Sequence, residues 1–111
     1  MTFENLLLES IDEGLTCLGE QTKQAVYHHL KNKYSLSKQD IPYRIKDFTD
    51  AMQDIFQVAA KLLEIKIMKI LFTKMGDANV PIDNPESWEF TNYICALRNR
   101  DLLRRLSVAP C

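Results

Sequence analysis

Residues 58–75 read VAAKLLEIKIMKILFTKM, Val58 to Met75. Twelve of these eighteen residues are apolar, yet Lys61, Glu64, Lys66, Lys69 and Lys74 interrupt the run too often for it to cross a bilayer. The apolar positions recur at helical spacing and never alternate as a strand would. On a wheel of about 100° per residue they cover more than half the circle, which leaves Lys66, Lys69 and Thr73 to water. An arc that wide predicts a central helix, or one shared with a second subunit. A four-helix monomer is expected to leave part of it uncovered. Ile67, Met68, Leu71 and Met75 are therefore the expected contacts of a homodimer seam.

Helical periodicity continues on both sides of this segment. Phe3, Leu7, Ile11, Leu15 and Leu18 form one stripe of a first helix over about 3–18, with Thr2 as its N-cap and Gly19 as its stop. A second helix over about 20–34 presents Val26, Tyr27, Leu30 and Tyr34. Residues 35–42 read as a linker, since Pro42 lacks an amide hydrogen and restrains Ile41. A third helix over about 44–56 carries Ile45, Phe48, Met52, Ile55 and Phe56, and the fourth runs from 58 to 75 and stops at Gly76. A second linker, 77–84, leads to Asn84-Pro85-Glu86, a cap, a proline and an acid in the order that opens a helix. The last helix is expected over about 85–106, docked through Trp88, Tyr93, Ile94 and Leu97. The predicted architecture is all-α: a four-helix core within residues 1–76 and a C-terminal helical extension, 77–111, packed on the same domain.

Composition agrees with that size of fold. The chain has 111 residues, 46% apolar and 26% charged, with a formal charge of −1, 3 Gly and 4 Pro. These values suit one domain with a genuine core and exclude disordered, collagen-like and strongly basic nucleic-acid-binding classes. Charge is unevenly placed: residues 1–20 hold five acids and no Lys or Arg, and residues 21–46 hold six bases against Asp40. Neighbouring antiparallel helices that complement one another account for this pattern. Cys17, Cys95 and Cys111 are far apart and lack zinc-ligand spacing, so reduced thiols and no metal site are expected. The acidic start Met1-Thr2-Phe3-Glu4-Asn5 does not resemble a secretory signal, and a cytoplasmic protein is expected.

Three segments together resemble a small archaeal helical family. They are Gly19-Glu20 with Ala25-Val26-Tyr27-His28-His29-Leu30; Ile41-Pro42-Tyr43-Arg44-Ile45-Lys46-Asp47-Phe48; and Leu62-Leu63-Glu64-Ile65 with Met68-Lys69 and Lys74-Met75-Gly76. Over residues 3–76 the chain resembles the Nitrosopumilus output domain, found alone or behind receiver and PAS sensor domains. The resemblance implies a non-catalytic signalling or regulatory module that meets protein partners, such as a response-regulator receiver acting in trans. It departs from the family's pattern twice, where glycine is expected: after the second helix, at Tyr34-Ser35, and before the fourth, at Phe56-Gln57-Val58-Ala59. The second departure leaves open a continuous helix from Asp47 to Met75.

Few side chains invite chemistry. His28 faces away from the apolar stripe of its helix, and His28-His29-Leu30-Lys31-Asn32 is similar to the phosphoacceptor segment of histidine phosphotransfer domains, with Asn32 where glycine is expected. A neutral exposed imidazole can take a phosphoryl group while a lysine steadies it. The plainer reading is a solvated surface histidine. Glu64 lies inside the apolar arc, where a carboxylate must pair or take up a proton. Arg44, Lys46 or His29 is the expected partner, and the functional alternative is a carboxylate that senses a ligand or a proton. Arg98, Arg100, Arg104 and Arg105 form a basic patch, read as a solvated tail or, alternatively, as a contact for nucleic acid. The sequence holds no Gly-rich phosphate loop and no nucleophile beside a base, so neither catalysis nor a cofactor is expected.

Overall fold

The computed structural model describes residues 2–75 and 89–108, the side chains of the final helix through residue 99. Among the described residues the fold is all-α, without strands. Its elements are α1 (Phe3–Thr16), α2 (Glu20–Tyr34), a 3-10 helix (Lys38–Tyr43), α3 (Ile45–Phe56), α4 (Ala59–Met75) and α5 (Phe90–Val108). The expected stop at Gly76, the start at Asn84-Pro85-Glu86 and Trp88 lie outside the described residues.

α1 forms where its stripe predicts, with Phe3, Leu7, Ile11 and Leu15 all buried. Thr2 Oγ1 accepts the Asn5 N–H at 3.2 Å, closing the helix start. The helix ends at Thr16 rather than Leu18, which is left exposed, and Gly19 reverses the chain at φ 103°. α1 packs most extensively on α4. Gly14 permits that approach, since a Cβ there would stand 2.8 Å from Ile67 Cγ1.

The expected linker 35–42 is largely a structured, buried connection. Ser35 closes α2 in the left-handed region (φ 51°, ψ 39°), and the Leu36 N–H reaches back to the Leu30 carbonyl at 3.1 Å. Leu36, Ile41 and Pro42 are buried beneath the chain. Burial satisfies the apolar side chains, and 3-10 geometry accommodates Pro42 over so short a run. α3 then ends at Gln57, whose φ of 56° and ψ of −130° turn the backbone sharply before α4. The continuous helix from Asp47 to Met75 therefore does not form.

α5 belongs to the core rather than lying over it. Phe90, Tyr93, Ile94 and Leu97 are all buried, and the Phe90 ring lies 6.1 Å from that of Phe48. Among the described residues α5 thus joins the four expected helices in the core. This explains the wide apolar arc of α4, which packs against α1, α3 and α5. Within the single chain Ile67, Met68 and Leu71 are 0% exposed and Met75 is 8% exposed. These four residues are consequently not available as a subunit seam, because three helices of the same chain already cover them.

The uneven charge resolves into cross-element pairs, but not only between α1 and α2. Asp12 faces Lys23 at 3.4 Å and Lys38 at 3.2 Å, and accepts the Tyr27 hydroxyl at 3.0 Å. Glu13 meets Lys74 at 3.2 Å, on α4 instead. Burial works to raise the Asp12 carboxyl; the Tyr27 hydrogen bond and the two lysines overcome it and hold its pKa below the usual range.

Candidate functional site

Glu64 is the most unusual side chain in the described structure. The helical register of α4 turns it inward between Ala60 and Met68, as the wheel predicts, and it is 4% exposed. Its Oε2 has no hydrogen-bond partner. Burial pushes its pKa above the ordinary glutamate value, and the Lys61 charge draws it part of the way back. None of the expected partners reaches it. Arg44 is engaged by Asp47 at 2.9 Å and by the carbonyls of Ser35 and Tyr34. Lys46 faces Asp50 at 3.4 Å, and His29 meets the Tyr34 ring edge-on at 6.1 Å. Arg44 and His29 are held around the end of α2, and neither lines the cleft that Glu64 faces.

Glu64 opens instead on a cleft of about 490 Å³ formed by α3, α4 and the beginning of α5. Thr49, Asp50 and Gln53 line it from α3, Lys61 from α4, and Glu89 and Asn92 from the start of α5. A second depression shares Gln53, Lys61 and Glu64 and extends toward Gln57 and Val58. Among the described residues no three His, Cys, Asp or Glu side chains converge as a metal site. A buried carboxylate without a donor, beside space and further polar groups, is an arrangement for binding.

A second feature sits at the turn between α3 and α4. Val58 is 93% exposed and Leu62, one helical turn on, is 72% exposed. The left-handed Gln57 sets the direction of this corner. The wheel contained a signal for Leu62, because positions 62, 66, 69 and 73 form one stripe and the last three are polar. The wide apolar arc obscured it.

The remaining candidates are dispersed. His28 is exposed and shares a shallow depression with Lys31 and Lys38, but Asn32 Nδ2 lies 2.7 Å from its Nε2. An amide N–H only donates, so the neutral ring accepts and that nitrogen is occupied. Phosphoryl transfer there would first have to displace Asn32. Arg98 is not part of a solvated patch. Its Nη2 donates to the Pro42 carbonyl at 2.6 Å, its Nε stands 3.6 Å from Glu4, and its guanidinium lies 5.4 Å above the Phe3 ring. The side chains of Arg100, Arg104 and Arg105 lie outside the described residues. Cys17 and Cys95 are free thiols at the surface. No helix among the described residues is long and apolar enough to cross a membrane.

The described residues form an all-α domain with a polar cleft beside Glu64 and an exposed apolar corner at Val58 and Leu62. Compared with protein-family models, with curated proteins and with solved structures, the chain matches none. The resemblance to the output domain thus rests on the three quoted segments.

Proposed function

We propose that this chain is a non-catalytic signalling or regulatory module that works by protein–protein contact, through the α3–α4 corner, with a second copy of the chain as its occupant. The observation that carries this reading is the exposed pair Val58 and Leu62, two large aliphatic side chains four residues apart where the turn after α3 enters α4. The backbone adds support for the resemblance. The two stretches where it expects glycine, Tyr34-Ser35 and Phe56-Gln57-Val58-Ala59, contain Ser35 and Gln57, the non-glycine residues with positive φ among those described.

The test is the solution mass of the full chain by light scattering, for the wild type and for Val58→Glu/Leu62→Glu. At about 50 μM the wild type should run as a dimer and the double variant as a monomer with an unchanged helical circular dichroism spectrum. A wild-type monomer at that concentration would overturn the reading, as would a dimer indifferent to both charges.

A further inference from the structure

We propose that the second copy docks on the outer face shared by α1 and α4, with α1 of each chain lying antiparallel against α4 of the other. The proposal rests on the corner reading and names the surface that continues from the corner. Within one chain α1 and α4 run antiparallel: Lys74, near the end of α4, meets Glu9 at 3.9 Å and Glu13 at 3.2 Å, and a Cβ on Gly14 would touch Ile67 and Leu63. Their outer face carries acid on one helix and base on the other. Glu9 and Glu13 are exposed and share Lys74, so one of the two carboxylates is left over. Lys66 is exposed on α4 and forms no ion pair among the described residues. Glu13, Lys69, Ile70 and Thr73 line one groove between the two helices, which puts both signs on the same face. Lys66 belongs to that face by register, one turn before Ile70 and two before Thr73.

A face divided in this way is complementary to itself. An anionic membrane or a uniformly acidic partner would satisfy Lys66 and be repelled by Glu9 and Glu13. A second copy brings each sign to the other. Two rotations can stack two such faces. A two-fold axis across the helices lays α4 on α4 and α1 on α1, which opposes base to base and acid to acid. A two-fold axis along the helices lays α1 on α4 and keeps every residue at its own height. Glu13, level with Ile70 in its own chain, then meets the Lys66–Ile70 stretch of the copy. The apolar corner follows the same rotation. Gly14 is level with Leu63, so Leu18, four residues further along the chain, comes level with the start of α4. Leu18 is 42% exposed and would receive Val58 and Leu62 of the copy. Aliphatic contact at that end supplies the attraction, and the charges along the helices set the register.

Charge exchange on the full chain tests this arrangement, with dimer affinity read by sedimentation equilibrium. Lys66→Glu and Glu13→Lys are prepared separately, and each alone should self-associate about tenfold more weakly than the wild type. Mixed in equal amounts, they should form a heterodimer of near wild-type affinity, because both seams then pair opposite charges again. Lys66→Glu breaks no ion pair within the described chain, so it decides the question even if Glu13→Lys, which loses Lys74, fails to fold. The proposal is overturned if the wild type dimerises and Lys66→Glu leaves its affinity unchanged, or if two folded variants show no recovery on mixing. Either result leaves the corner reading standing, provided Val58→Glu/Leu62→Glu is still a monomer. A wild-type monomer at about 50 μM overturns both. Retention of the chain on phosphatidylserine vesicles, lost in Lys66→Glu, would assign the face to a lipid surface and overturn the proposal as well.

Discussion

Glu64 is held away from water with an oxygen that no donor reaches, so it lowers the stability of the fold that carries it. Glu64→Gln keeps the shape and removes the charge, and should raise the unfolding free energy by about 1 kcal/mol at neutral pH. The pH dependence follows from the raised pKa. The cost of Glu64 is fully present above its folded-state pKa and vanishes below its unfolded value. Urea unfolding of the two proteins should therefore differ most near pH 7 and converge toward pH about 4. A gap that widened in acid would mean that Glu64 is stabilised as the anion. Asp12 behaves oppositely: its depressed pKa contributes stability above the unfolded value, and this is lost as pH falls through the folded one. The inward placement of Glu64 was legible from register alone. Its lack of a partner was not, because spacing along one helix says nothing of which donors neighbouring helices bring near.

Gln57 makes the break between α3 and α4 with a backbone that suits glycine. A side chain at such a φ costs of order 1–3 kcal/mol, so Gln57→Gly should stabilise the protein by about 1 kcal/mol and raise its thermal midpoint by a few degrees. An unchanged or lowered midpoint would show that the corner is not strained. The element order was readable because long stripes at intervals of three and four admit one interpretation. Residues 38–43 were less legible: Pro42 marks a break in α-helix, but proline and a short apolar pair do not separate a linker from a buried 3-10 turn. The close approach at Gly14 was equally hidden, since it depends on where Ile67 of another helix falls. The corner pair was half-legible, through the polar stripe that includes Leu62.

Among the described residues α1 to α5 share one core, and Arg98 helps to close it, linking α5 to the Pro42 carbonyl and to Glu4 at the start of α1. Arg98→Ala removes a charged donor from a carbonyl on a buried residue and should cost about 2 kcal/mol. Amide exchange should quicken first in α5, and equal quickening everywhere would show that the helix does not detach separately. The wide arc of α4 was visible in the sequence, but what filled it was not. The spacing of apolar residues measures the apolar surface of one helix and not the helices of the same chain that will cover it, and α5 supplies the cover expected from a second copy. The same core dictates where the polypeptide tolerates new material. Because Leu36, Ile41 and Pro42 lie beneath the surface, a peptide tag spliced between α2 and α3 would have to pull its flanks out of the interior. The exposed Leu18–Gly19 bend, whose glycine has nothing within 4 Å of its missing side chain, is the natural place for an epitope or a circularly permuted terminus.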